Sequence, residues 1–178
     1  MQGVGDAETD RLRLERWDHD IHGPGLARVN GDREVLRYVG GRVATRAEWD
    51  AMSARLAAHW HTYGYGLWAV VVKKTGVMVG FVGLSHPLWW PAMIERVEIG
   101  WRLARDAWGF GYATEGAREA VRVGCEVLRL DELVSFVHPE NVRSLAVTAR
   151  LGMVAEADVP HPSCDETVRI MRLACSNS

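Results

Sequence analysis

The chain has 178 residues, the size of one ordinary domain, and residues 1–178 are expected to fold as one. Hydrophobic residues make up 48% and charged residues 25%, enough to bury a core and stay soluble. The formal net charge of −2 excludes a nucleic-acid binder working through a broad basic face, and no apolar run approaches the ~20 residues of a membrane span.

The stretch Met1–Asp10 has neither the basic start nor the apolar run of a signal peptide. Cys125, Cys164 and Cys175 are an odd, scattered set without CxxC spacing, so neither a zinc site nor a disulfide framework is expected. Cys125, among small helix residues, reads as packed and inert. A reducing cytoplasm is the simplest compartment. Thr9 to Trp17 alternates, with Leu12 and Leu14 opposite Arg11, Arg13 and Glu15, and predicts a half-buried strand. His22-Gly-Pro-Gly25 reads as a break, with a short helix somewhere in Leu26–Val39. Thr45 with Glu48 three residues on is a capping box, opening a helix to about His61.

Leu67–Lys74 and Val77–Ser85 then form a hairpin turning at Thr75-Gly76. Gly80 and Gly83 within it suggest a bulge or a close backbone approach. Trp89-Trp90-Pro91 reads as an apolar hairpin tip, either a dimer contact or an acceptor-site wall. Ile94–Leu103 is a further strand, with Glu98, Gly100 and Arg102 on one side. Gly109–Gly124 switches to helical period, with a small-residue stripe from Ala113 to Gly124. Leu133–Val137 is a short strand. Asn141 is an N-cap for a helix from Val142 to Leu151, ended by Gly152. Val154–Ala157 and Thr167–Leu173 are the last strands. The pattern predicts a mixed α/β (α+β) sheet with helices on both faces, and a parallel pair within Glu95–His138.

Gly109 and Gly111 sit between a strand and a helix, where backbone N–H groups can approach a phosphate. A Walker loop would need a Gly-Lys-Ser/Thr ending, which is absent. A dinucleotide fingerprint has its acid in Asp131, about twenty residues on, but has Thr114 in place of the third glycine and falls mid-chain. A capped loop with no ligand is the bland alternative.

The wider pattern settles among these. Thr9-Asp-Arg-Leu-Arg-Leu14, Gly80-Phe-Val-Gly-Leu84, Glu98-Ile-Gly-Trp101, Trp108-Gly-Phe-Gly-Tyr-Ala-Thr-Glu115, Asn141-Val-Arg-Ser144 and Leu151-Gly-Met153 occur in that order. Together they resemble the GNAT N-acetyltransferase superfamily, in its RimJ/RimL-like (ribosomal-protein alanine acetyltransferase) branch. The resemblance implies a mostly antiparallel sheet of about seven strands, splayed between strands 4 and 5. It implies acetyl-CoA as acyl donor, its pantetheine arm along Trp101 and Leu103, and its pyrophosphate on the amides of Gly109, Phe110, Gly111, Tyr112 and Ala113, with Asn141 a further contact. No metal is implied. The acceptor would be a primary amine, on a small molecule or a peptide N-terminus, met by the poorly matching 18–64 segment. No nucleic acid or membrane partner is implied, and a homodimer is allowed.

Two positions depart from the family. Asp106 stands where Gln or Arg is usual, and Thr148 where a general-acid Tyr often sits. Ser144 is the hydroxyl that remains, and Glu98 is the base candidate; the bland alternatives are a helix cap and a salt-bridged strand glutamate. An amine of pKa ~10.4 must lose a proton before attacking, and a thiolate of pKa ~8.5 must gain one. The missing Tyr keeps a non-catalytic acyl-CoA binder as the rival. His59-Trp-His61, at i,i+2 on a helix, is not a metal pair; His138 is a candidate for the channel wall; Ser85, Ser135 and Ser163 lack a nucleophile-elbow context.

Overall fold

The structure is a computed structural model and describes residues 4–40 and 42–175. The first three residues of the Met1–Asp10 stretch and both ends of the expected 1–178 domain lie outside these. The elements are β1 (Ala7–Glu8), β2 (Leu12–Glu15), α1 (His19–Asn30), α2 (Arg33–Leu36), α3 (Arg46–Tyr63), β3 (Leu67–Val72), β4 (Val77–Ser85), β5 (Glu98–Leu103), α4 (Tyr112–Arg122), β6 (Glu132–Val137), α5 (Val142–Arg150), β7 (Val154–Pro160) and β8 (Thr167–Ala174). They build one mixed α/β sheet in the order β1-β2-β3-β4-β5-β6-β8-β7. Among the described residues only β5 and β6 run parallel, and they meet at a single register, Glu98 opposite Val134. Val134 N donates to Val97 O at 3.0 Å, and beyond that bond the strands part. The expected splay is therefore present.

The eighth strand comes from the N-terminus. Thr9–Trp17 is not one strand: Thr9 N donates to Leu12 O at 2.9 Å, so residues 9–11 turn the chain between β1 and β2. β4 is held close to its neighbours through Gly80 and Gly83. A Cβ on Gly80 would stand 2.1 Å from Arg102 O, and one on Gly83 2.4 Å from Gly66 O. A register shift at Val70/Val71 accompanies this approach.

Helices cover both faces. Gly116 of α4 packs on Val82, and Phe81, the next residue back, meets the Trp17 ring on the opposite face at 6.4 Å. α1 occupies that second face and corrects the sequence reading, because His22-Gly-Pro-Gly25 lies inside it. Asp18 caps its start through bonds from the amides of Asp20 and Ile21. A Cβ on Gly25 would stand 2.5 Å from Met78 Sδ, and one on Gly23 3.1 Å from Ser53 Oγ. The glycines let α1 press on β4 and α3, and that packing overrides a local breaker. The Thr45–Glu48 capping box forms as expected.

A second correction concerns Cys125. α4 runs into a widened π turn, Val123–Val127, which places Cys125 5.2 Å (Cα–Cα) from Cys175, and the two form a disulfide. The separation of 50 residues carries no motif. Only the end of β8 lying beside the π turn reveals the pair.

Near the end of α3, two histidines share one hydrogen-bond network. His86 N donates to His59 Nε2 at 3.0 Å, so His59 Nδ1 is left to donate to Tyr65 O. Tyr65 Oη and His86 Nε2 are 2.9 Å apart, and His86 Nδ1 meets Ile94 O. Burial holds His59 below its ordinary 6.5, although the Tyr65 carbonyl pulls the other way. An unfolded chain thus binds the proton more readily than the folded one. The contribution of His59 to stability is expected to be full above about pH 6.5 and to fall as the pH drops below it. The difference in unfolding free energy between wild type and His59→Phe, followed by denaturant across pH 5–7, should show this slope.

Candidate active site

The turn between β5 and α4 is built by backbone and clamped by a distant strand. Gly109 and Gly111 have φ of 83° and 82°, a left-handed conformation that side chains with a Cβ rarely adopt. Gly111 is the N-cap of α4, so the helix N-terminus and its amides open toward the turn. Arg11 Nη1 donates to Phe110 O at 2.9 Å, and its guanidinium lies 4.9 Å over the Tyr112 ring. Glu115 accepts from Thr9 Oγ1 at 2.6 Å and from Arg11 N and Nε at 2.9 and 2.7 Å. Burial alone would raise the Glu115 pKa, but these donors outweigh it and hold it low. Arg11, 99 residues from Phe110, was visible in sequence only as part of the Thr9–Leu14 match.

The turn forms one end of a cleft of about 1520 Å³ that follows the gap between β5 and β6. Arg11, Arg118, Arg122, Arg143 and Arg150 border the cleft, and Arg143 stacks on Trp108 at 4.7 Å. Amides at a helix N-terminus with Arg11 and Arg143 beside the turn suit a phosphate-bearing ligand. No side-chain atom stands within 4 Å of where a Gly109 Cβ would be, so the turn is open to such a ligand. Asp131 lies outside the cleft, its carbonyl accepting from Cys175 N. Asp106, which stands where Gln or Arg was expected, also lies outside the cleft and pairs with Arg28 of α1.

Along β5, Ala104 N donates to Val79 O of β4, whereas Val97 O accepts from β6. By this alternation the backbone of Trp101 and Leu103 is directed into the gap. Trp108 Nε1 already donates to Leu103 O at 2.8 Å. The side chains of Glu98 and Arg102 share the α1 face of the strand. Burial raises Glu98 to about 7 despite the opposing Trp89 indole and Arg102 charge. Burial likewise lowers Arg102 to about 10, against the pull of Glu98. Arg102 Nη1 donates to Asn30 Oδ1 at 2.8 Å, and its guanidinium lies 5.3 Å over Phe81.

The other wall is α5. Asn141 caps it, Oδ1 accepting from Ser144 N at 3.1 Å. Ser144 borders the cleft, and so does His138, whose ring meets Tyr38 at 5.0 Å. Tyr38 follows α2 and was missed in sequence. Thr148 is 0% exposed, and its Oγ1 donates to Leu145 O. A tyrosine there has no path to the cleft: Thr148→Tyr should cost about 1–3 kcal/mol by overpacking and give no gain in rate. Calorimetry beside an activity assay checks both.

The Trp89-Trp90 pair also divides. Trp89 is 42% exposed, lines the cleft and stacks on His161 at 5.1 Å. Trp90 is 8% exposed and packs with Val134, Val168 and Ile170. The predicted apolar tip is thus half core. Ser85 and Ser135 line the cleft, Ser163 is exposed, and none stands in a strand-to-helix elbow.

A family profile described as the acetyltransferase (GNAT) domain matches residues 11–154. The chain belongs to this family, and with it to the acetyl-CoA-dependent N-acetyltransferases. It is 31% identical over 177 residues to an FsC-acetyl coenzyme A-N(2)-transacetylase of Aspergillus fumigatus, covering 89% of this chain and 71% of that protein. The solved acetyltransferase from Agrobacterium tumefaciens shares the fold at a TM-score of 0.80 and 29% identity, over 96% of this chain and 94% of that one. The ribosomal-protein-S5-alanine acetyltransferase from Vibrio fischeri, at 16% identity, shares the fold alone, with a TM-score of 0.78 over 98% of each chain.

Proposed function

We propose that this chain moves an acetyl group from acetyl-CoA directly to a primary amine, with Glu98 as the base and Ser144 as the acid. The observation that carries the reading is the Glu98 carboxyl lining the cleft beside the point where β5 and β6 part. The donor supplies a thioester activated toward attack. Its pyrophosphate would rest on the amides of Gly109, Phe110, Gly111, Tyr112 and Ala113, its arm beside Trp101 and Leu103, with Asn141 at the head of α5. Glu98 takes the ammonium proton, directly or through water. The neutral amine then attacks the thioester carbon, and a cleft-facing amide of β5 steadies the oxyanion. The C–S bond breaks, the thiolate takes its proton from Ser144, and Ser144 is restored by the second proton that the attacking nitrogen sheds as the amide forms; Glu98 returns the first proton to solvent. A general base works best with a pKa near the working pH, which about 7 satisfies.

A retained base favours this reading over a non-catalytic acyl-CoA binder. The acceptor is a small amine or a peptide N-terminus, entering between Trp89 and the α2 segment. A cytoplasmic location belongs to the same proposal, since acetyl-CoA chemistry runs inside cells. Thiol release from acetyl-CoA, with and without an amine panel, tests it. Amine-dependent release matched by N-acetylated product is expected; binding of acetyl-CoA without turnover would support the rival.

A further inference from the structure

The acceptor end of the cleft carries a cation that acetyl transfer to a plain amine does not need. Arg102 borders the cleft on the same strand face as Glu98, with Gly100 between them. A Cβ on Gly100 would meet only Glu98 Oε1, at 3.8 Å, so the floor between the two charged side chains is open. Arg102 does not swing freely. Asn30, 0% exposed, holds Nη1 from behind, and the Phe81 ring supports the guanidinium from below. A guanidinium has five N–H donors in a planar fork that matches a carboxylate, and Asn30 engages one of them.

We propose that Arg102 determines acceptor specificity, and that the acceptor is a primary amine carrying its own carboxylate, a free amino acid or a close analogue. This rests on the acetyl-transfer reading given above. The ammonium end would face Glu98 and the carboxylate end Arg102, so the zwitterion spans the open floor at Gly100 with each charge opposite its complement. Burial has already stripped Arg102 of much of its water, as its lowered pKa of about 10 reflects. A cation in that state gains most from a geometrically matched anion. A peptide N-terminus has an amide where the amino acid has its carboxylate, and cannot supply that anion. The aromatic and apolar wall at Trp89 and Met52 leaves room for a side chain.

The test compares matched acceptors, glycine against glycinamide and phenylalanine against phenylalaninamide, by mass spectrometry of the N-acetyl product. Wild-type protein should have the higher kcat/KM for the acid of each pair, after correction for amine pKa. Arg102→Gln should shrink that acid-over-amide ratio about tenfold or more, the scale for losing one partner of a buried charge pair. Arg102→Lys, which keeps the charge and loses the fork, should fall between. Because the ratio is taken within one protein, a change in Glu98 basicity or in folded fraction cancels. Acetyl-CoA binding by calorimetry on the same samples separates the two claims. Loss of that binding in wild-type protein would overturn the acetyl-transfer reading itself. Normal cofactor binding with no preference for the acid, or with a preference that survives Arg102→Gln, would overturn the assignment of Arg102 alone.

Discussion

Glu98→Gln should lower kcat on the order of 10²–10⁴-fold, the usual range for a lost acid–base group. The pH profile carries more information than the size of the loss. Burial places Glu98 at about 7, so wild-type activity should rise through that pH as the carboxylate loses its proton. Glutamine cannot titrate, and the variant should lack this limb. Its residual rate should climb instead toward ~10, where an amine of the lysine type deprotonates unaided. A second readout needs no turnover. The folded pKa lies above the ordinary 4.5, so Glu98 favours folding at low pH, and that contribution is lost as the pH rises from 4.5 through about 7. The variant's melting temperature should therefore gain on the wild type's across this window. Unchanged rate and profile would assign the proton to another group and leave Glu98 a structural glutamate.

What the sequence disclosed and what it hid divide along physical lines. The Thr45–Glu48 box and the Asn141 cap are each decided within a few residues, and both appear; the close approach at Gly80 and Gly83 was legible from the glycines alone, although the backbone they admit, at Arg102 and Gly66, belongs to other segments. The glycine turn was legible for the same reason: a left-handed backbone at positions 109 and 111 is a local demand that glycine meets. The misses are contacts between distant segments. Pro24 was read as a breaker because nothing local announces that Met78 and Ser53 press close on the glycines beside it. The Cys125–Cys175 bridge depends on a π turn meeting the end of β8. Trp89 and Trp90 look alike in sequence, yet one faces the cleft and the other fills a core, because adjacent side chains point apart. Glu98 was found from its strand alternation. Its raised pKa was not, since desolvation depends on everything that packs around the carboxylate.

Gly111→Val should abolish the stabilisation that acetyl-CoA confers. In wild-type protein, acetyl-CoA at 100-fold its dissociation constant should raise unfolding free energy by about 2.7 kcal/mol, through mass action on the folded state alone. At φ of 82° a β-branched residue is strained, at a cost of about 1–3 kcal/mol if the backbone stays as it is. The cheaper response is for the turn to relax, which would re-aim the amides of Gly111 to Ala113 away from the phosphate position. Sterics do not force the rest of the molecule to follow. A Cβ at Gly111 would meet Arg11 Nη2 at 3.5 Å, an ordinary contact with the end of a flexible side chain. The apo variant should therefore keep its far-ultraviolet circular dichroism and melt cooperatively, somewhat lower than wild type, with no upward shift on adding acetyl-CoA. NAD serves as the control ligand and should stabilise neither protein. A full acetyl-CoA shift in the variant would mean that the turn does not hold the pyrophosphate. Stabilisation of wild type by NAD, with none by acetyl-CoA, would turn the same cradle into a dinucleotide site and remove the acyl-donor assignment on which the roles of Glu98 and Ser144 depend.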